Sequence, residues 1–370
     1  MTLTLEGCRR RQQLLLEKVQ DVDYVVITDP RNIFYFTGHY ASQLNLGGWG
    51  HNYLILDTHN GESLLLTHNF FAPAPDAVAV DKLEVWTWYD AVHNSGNAIF
   101  PEGLRELNAR LGAFQGKKAG IEAGWFPHGA RVGETVDITY RILDLRRQKH
   151  PDELAMIREA IRTVEAGHRA ARQVIRPGVT EIDVFNAVCA AMVMEVGHPI
   201  LPIGDFVSGE RTYTVGGPPT SRKLAAGELM IVDITPVVNG YRADFTATIA
   251  VDGQLTPKQK ALETALLEAI AAGESKLKAG VRCADVYQAV RAGLGDFAEG
   301  LVHHAGHGLG LGHPEAPYFV THSDEILRAG DVVTLEPGSY GAGFGGRVER
   351  NYLITEQGFE NLTHHSLTFT

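Results

Sequence analysis

The segment HHAGHGLGLGH, residues 303–313, carries four histidines with four glycines threaded between them. Imidazole nitrogens at this density suit a divalent transition metal. Glycine-rich backbone can also cradle a phosphate, but no Gly-Lys-Ser/Thr follows these glycines and no lysine stands among the histidines. A metal reading needs further ligands, and an internal repeat supplies them. VIRPGVTEIDVFNAV (174–188) matches KLKAGVRCADVYQAV (276–290) at an offset of 102, pairing Gly178 with Gly280, Asp183 with Asp285 and Val188 with Val290. AAGELMIVDITP (225–236) then lies over RAGDVVTLEPGS (328–339) at 103, and YRAD (241–244) over GRVE (346–349) at 105. The repeat pairs Asp233 with Glu336 and Asp244 with Glu349.

Each of these four acids sits in or beside an apolar run, where an isolated carboxylate is costly unless it is paired or bound to metal. One could be a structural ion pair; four at equivalent positions point to bound cations, and two divalent ions would balance the charge. Hairpin geometry agrees. Asn239-Gly240 is a strong two-residue turn signal. With that turn, Val238 faces Tyr241 and Asp244 faces Thr235. Side chains alternate along a strand, so Asp233 and Asp244 share a face as diagonal neighbours. A one-residue slip would separate them.

The elements that must position these residues fall into two regions. Strand-like runs at 23–28, 51–57, 62–67 and 83–88, with helical stretches near 7–19 and 102–111, read as a small α/β domain. The charged, proline-containing RRQKHPDE, starting at 146, marks a boundary. A long helix follows, with Leu154, Ile157, Ile161, Val164, His168, Ala171 and Ile175 on one face. His168 is read as a core position on that face. Thr180 with Asp183, and Thr256-Pro257 with Gln259, form capping boxes that open two more helices. The second region is therefore two copies of a helix–helix–hairpin unit, expected to form one curved sheet with both helix pairs on its outer face.

Composition narrows the class. At 370 residues the prior is two domains. The net charge of −11 (33 basic against 44 acidic residues) argues against nucleic acid or an anionic membrane as partner. The three cysteines, Cys8, Cys189 and Cys283, form no pairing framework, which suits a reducing compartment. Arg9–Arg11 is followed by QQLLLEKVQD, which lacks the apolar run of a signal peptide, and no stretch approaches a membrane span. A cytoplasmic protein is expected.

The acids together with GHGLGL resemble the pita-bread-fold metallopeptidases, which include Xaa-Pro aminopeptidases, prolidases and methionine aminopeptidases, with creatinase as a metal-free relative. The resemblance covers most of the chain. DPRNIFYFTG (29–38) resembles the start of a creatinase-type N-terminal domain, and RRQKHPDELAMIREA (146–160) the start of the catalytic domain. It implies an α+β protein: a creatinase-type α/β domain over 1–144, then a pita-bread catalytic domain over 145–370 with a pseudo-twofold repeat. It also implies that Asp233, Asp244, His307, Glu336 and Glu349 hold two divalent ions, manganese foremost, with cobalt, iron or zinc as alternatives. Two such ions share and acidify a water that attacks an amide-like bond. Glu336 doubles as the proton shuttle, and His303 lines the outer pocket. The implied substrate is a small peptide or amide, and the implied assembly a homodimer. The segment LNLGGWGHN (44–52) is read as a connecting loop, or as one reaching a neighbouring active site.

Three positions depart from the family pattern. The loop VSGERTYTVGGPPTSRKL (207–224) holds no histidine, and the slot for one falls on Gly216. His313 comes six residues after His307 where seven is usual, with Pro314 in the expected slot. Ala247 stands where an arginine is common. The metal cluster is left intact, so the departures point to an altered substrate. Tyr213, Arg211 and Arg347 are candidate pocket contacts, with Arg347 alternatively pairing a ligand carboxylate. His313 is assigned to the catalytic set, with a plain loop position as its alternative. The leading reading is a dinuclear metallohydrolase of the Xaa-Pro peptidase type. The alternatives are non-peptide chemistry on the same metals, an amidinohydrolase or a small-molecule lyase, and an inactive binding protein.

Overall fold

The computed structural model describes residues 2–40, 51–92, 99–200, 203–341 and 343–370; most of segment 44–52, including Trp49, lies outside them. The chain forms two compact units, 1–146 and 147–370. In the first, the chain runs α1 (Leu5–Lys18), β1 (Tyr24–Ile27), α2 (Pro30–Thr37), β2 (Tyr53–Asp57), β3 (Ser63–His68), β4 (Lys82–Trp86), α3 (Ile99–Leu111), β5 (Ala119–Ile121), β6 (Thr135–Asp137) and α4 (Thr139–Arg147). The strands form one sheet in the order β4-β3-β2-β1-β5-β6. Tyr24, Val26, Tyr53, Ile55, Leu66 and Trp86 pack beneath Leu107 and Leu111 of α3. Alternation along β2 and β3 directs these side chains to one face.

The second unit begins with the helix pair α5 (Pro151–Val174) and α6 (Glu181–Val196), followed by β7 (Phe206–Ser208) and β8 (Leu229–Ile234). A hairpin, β9 (Val237–Val238) and β10 (Tyr241–Arg242), leads to β11 (Phe245–Ala250). The second copy has α7 (Pro257–Glu274), α8 (Cys283–Gly293), β12 (His307–Gly308), β13 (Glu315–Tyr318), β14 (Val332–Leu335), the hairpin β15 (Gly338–Gly341) and β16 (Phe344–Arg347), then β17 (Arg350–Ile354) and β18 (Phe359–Asn361). The sequence repeat maps onto these elements: α6 onto α8, β8 onto β14, and β11 onto β17. Both capping boxes form, Thr180 with Asp183 and Thr256 with Gln259. His168 is buried and its Nε2 lies 2.9 Å from the Phe245 carbonyl, a core position.

The hairpin register is the one the turn dictates. Asn239 and Gly240 have φ of 49° and 93°, so both central residues are left-handed. Val238 pairs with Tyr241, and beyond the hairpin Ile234 pairs with Phe245 and Asp233 with Thr246. The two copies do not merge into one continuous ladder. β11-β8-β7 and β13-β12-β14-β17-β18 are separate sheets. They meet where the Glu349 amide donates to the Thr246 carbonyl (3.1 Å), and the Thr248 hydroxyl inserts between the Arg347 amide and carbonyl. A hydroxyl thus replaces a backbone partner at the seam.

Candidate metal centre

The four acids stand at strand ends: Asp233 near the end of β8, Asp244 just before β11, Glu336 just after β14, and Glu349 between β16 and β17. His307 opens β12. The seam brings them together. Donor atoms of Asp233, Asp244 and Glu349 lie within 4.8 Å of one another, as do those of His307, Glu336 and Glu349, and those of Asp244, His307 and His313. The glycines of GHG permit this approach. A Cβ on Gly306 would overlap the Thr334 carbonyl, and one on Gly308 the Ala316 carbonyl, so only glycine lets β12 sit this close to its neighbours.

Two features fit a bound cation. First, Asp233 Oδ1, Asp244 Oδ1 and Glu349 Oε1 are buried without a hydrogen-bond partner, which is costly for carboxylates. Second, His307 Nδ1 lies 2.9 Å from the Gly308 carbonyl and so carries the proton. Its Nε2, a donor in the charged ring and a lone pair in the neutral one, faces Asp244 Oδ2 at 3.3 Å and Glu336 Oε1 at 3.4 Å. A ring nitrogen aimed at two carboxylates marks a place for positive charge, filled by a proton without metal and by a cation when one displaces it. A histidine that donates its second N–H to a backbone carbonyl is the usual arrangement of a metal ligand.

The electrostatics carry the same strain. Burial pushes Glu349 well above the ordinary carboxylate range, and Asp244, Glu336 and Asp233 add to it. Burial also lifts Asp233 to about 7 against the pull of Arg347. Burial opposes ionisation of Asp244 too, but the His313 and His307 imidazoles overcome it and hold the group below its usual value. For His307, burial favours the neutral ring, yet Asp244 and Glu336 raise it to about 9. Without a cation the cluster therefore retains protons in its place.

The remaining predicted residues divide. His313 reaches the cluster despite its shifted spacing, with Nε2 in a short hydrogen bond to Asp244 Oδ2. His303 Nδ1 faces its neighbour's carbonyl at 2.6 Å and its Nε2 faces the Tyr340 hydroxyl at 3.1 Å, and its ring groups with His304 and Glu336 at the edge of the cluster. Arg347 is buried and spends every N–H on the protein: Nε on Thr246, Nη1 on the Val215 carbonyl and Tyr340, and Nη2 on Asp205 and Asp233. Its pocket-contact reading is corrected in favour of the pairing one. Arg211 is likewise turned inward, to the buried Glu181 and the Pro218 carbonyl, because Glu181 gathers the whole loop: it also accepts from Ser208 and Thr220. Tyr213 is 53% exposed.

His304, given no role from the sequence, places Nε2 3.0 Å from Glu336 Oε1. Sequence reasoning also missed Thr246, whose hydroxyl donates to Glu349 Oε2 at 2.8 Å, and Asp205. Gly216 was the available signal for Asp205: a Cβ there would overlap the Asp205 carboxyl group, so the slot is closed.

The profile of metallopeptidase family M24 matches residues 155–356, and that of the creatinase/prolidase N-terminal domain matches 9–147. The chain belongs to metallopeptidase family M24. The family brings divalent metal ions and peptide hydrolysis with it. Similar proteins include an uncharacterized peptidase of Staphylococcus aureus, 26% identical over 357 residues covering 94% of this chain and 96% of that one. One of Staphylococcus haemolyticus is 27% identical with the same coverage. Among solved structures, the prolidase of Pyrococcus furiosus superposes with a TM-score of 0.80 at 25% identity, covering 95% of this chain and 99% of that one. The X-Pro aminopeptidase of Thermotoga maritima shares the fold, with a TM-score of 0.80 at 22% identity over 96% and 98% of the two chains. The fold is thus a creatinase-type N-terminal domain followed by the pita-bread catalytic domain. Among the described residues no helix is long and apolar enough to cross a membrane.

Proposed function

We propose that this M24 member is a dinuclear metal-dependent hydrolase of the Xaa-Pro peptidase type, acting on a small peptide or related amide. Asp233, Asp244, His307, Glu336 and Glu349 would hold two divalent ions, with manganese the first choice. The observation that carries this reading is the convergence of three unpartnered carboxylate oxygens with the His307 ring nitrogen. Bound ions supply Lewis acidity toward a carbonyl and acidify a water. Glu336 would serve as the proton shuttle, taking a proton from the attacking water and giving it to the leaving nitrogen. Its Oε1 is steadied by the Thr334 hydroxyl at 3.2 Å and by His304. His313 fixes Asp244 and, being partly exposed, is the imidazole positioned to meet substrate. His303 anchors Tyr340, which in turn holds Arg347 against Asp233.

One observation favours a second reading. The closed slot at Gly216 removes the loop histidine that the peptidase pattern expects, which suits a non-peptide amide or amidine on the same ions. Manganese-loaded protein assayed against Xaa-Pro dipeptides, Xaa-Pro tripeptides and small cyclic amides separates the two. Hydrolysis confined to the non-peptide compounds would replace the first reading with the second. A homodimer and a cytoplasmic location complete the proposal; light scattering and fractionation test them.

A further inference from the structure

Asp205 belongs to none of the metal-ligand positions, yet it is tied to the centre. β7 pairs with β8 in a register that sets Phe206 opposite Val232, and the Asp233 amide donates to the Asp205 carbonyl at 2.9 Å. Asp205 and Asp233 therefore stand directly opposite each other across antiparallel strands. Like charges in that relation repel. Arg347 Nη2 lies between them, 2.8 Å from Asp205 Oδ2 and 2.6 Å from Asp233 Oδ2. The other oxygen, Asp205 Oδ1, accepts from the Gly217 amide at 2.8 Å, and the carboxyl group packs against the bare Cα of Gly216. The carboxylate is held at both oxygens, and the loop is shaped to admit it.

The charge count shows what this does. Two divalent ions balance Asp233, Asp244, Glu336 and Glu349, which leaves the buried Arg347 as an excess cation beside Asp233. Alone, Arg347 would draw electron density from Asp233 and repel the ions. We propose that Asp205 is a positioning residue that shares Arg347 with Asp233, offsets its charge, and so preserves the strength with which Asp233 holds a metal ion. The inference rests on the metal reading above, and the test separates the two.

The experiment is calorimetric titration of Mn2+ into metal-free protein, wild type against Asp205→Asn, with the visible spectrum of the Co2+-loaded forms recorded alongside. Asparagine keeps the shape and removes the charge. The expected result is Mn2+ affinity lower by about tenfold or more, the usual effect of changing a residue behind a ligand, together with a shifted Co2+ spectrum. Equal or tighter Mn2+ binding by the variant overturns the inference. So does weaker binding with an unchanged spectrum, which would mean a loosened fold and no effect through Asp233. A wild type that takes up no Mn2+ overturns the metal reading and this inference with it. Gly216→Ala is the second variant: its methyl group displaces the Asp205 carboxylate without altering charge, and it too is expected to weaken Mn2+ binding, an unchanged affinity counting against the inference.

Discussion

Metal binding at this centre must expel protons. In the metal-free protein His307 is raised to about 9, because Asp244 and Glu336 outweigh its burial. An ion needs the neutral ring. At pH 7 the ring is then mostly protonated, so the apparent affinity lies well below its high-pH limit, by roughly 100-fold. Asp233, raised by its burial, retains part of a second proton. Glu349, pushed well above the usual carboxylate range, retains a further share. The sign is fixed: all three groups are raised, all are protonated below their values, and the ion competes with each proton. Affinity should climb by at least tenfold per pH unit between pH 6 and 8 and level off above about 9. The assay is calorimetry with Mn2+ under nitrogen in buffers of different ionisation enthalpy, where the slope of apparent enthalpy against that quantity counts protons. We expect about one or more released at pH 7. A slope of zero at pH 7, with affinity flat from pH 6 to 9, would refute the view that His307 and its carboxylates form the ion site.

Other residues give independent checks. Thr246→Val removes the hydroxyl that orients Glu349 and should lower Mn2+ affinity about tenfold by the same titration. Arg211→Met should lower unfolding free energy by roughly 2 kcal/mol in urea, through loss of a charged hydrogen bond to Glu181, and leave KM unchanged; a raised KM would restore Arg211 to the substrate pocket. Burial works against the Glu336 carboxylate, but His304, with His307 and His303, holds it down to about 2. His304→Ala should therefore move the acid limb of kcat/KM to higher pH, and an unmoved limb would deny His304 that role. Thr256→Ala, away from the site, should cost about 1 kcal/mol through the lost cap of α7 and leave metal content intact.

What could be read from the sequence was what repeats or what is local. The offset of 102 to 105 located α6 against α8 and β8 against β14 because both copies solve the same packing problem. Asn239-Gly240 set the hairpin register through backbone sterics alone, and that register put Asp233 and Asp244 on one face. What stayed hidden depends on partners distant in the chain. Arg347 meets Asp205 across 142 residues, and Glu181 meets Arg211 and Thr220 across a loop with no periodicity. Neither pairing leaves a local pattern, so Arg211 read as a pocket residue and Asp205 was passed over. His304 went unassigned for another reason: adjacent residues point apart only where the backbone is regularly extended, and the segment before β12 is irregular. The single curved sheet expected from the repeat is two sheets joined at Thr246 and Thr248, because side-chain hydroxyls at the seam cannot be told from surface ones by sequence.

The most direct test of the central claim is metal content by elemental analysis of gently purified protein, beside an Asp233→Ala, Glu336→Ala double variant. The account predicts close to two transition-metal ions per chain in the wild type, and their loss in the variant. A wild type holding no more metal than the variant, even after reconstitution with Mn2+, would contradict it.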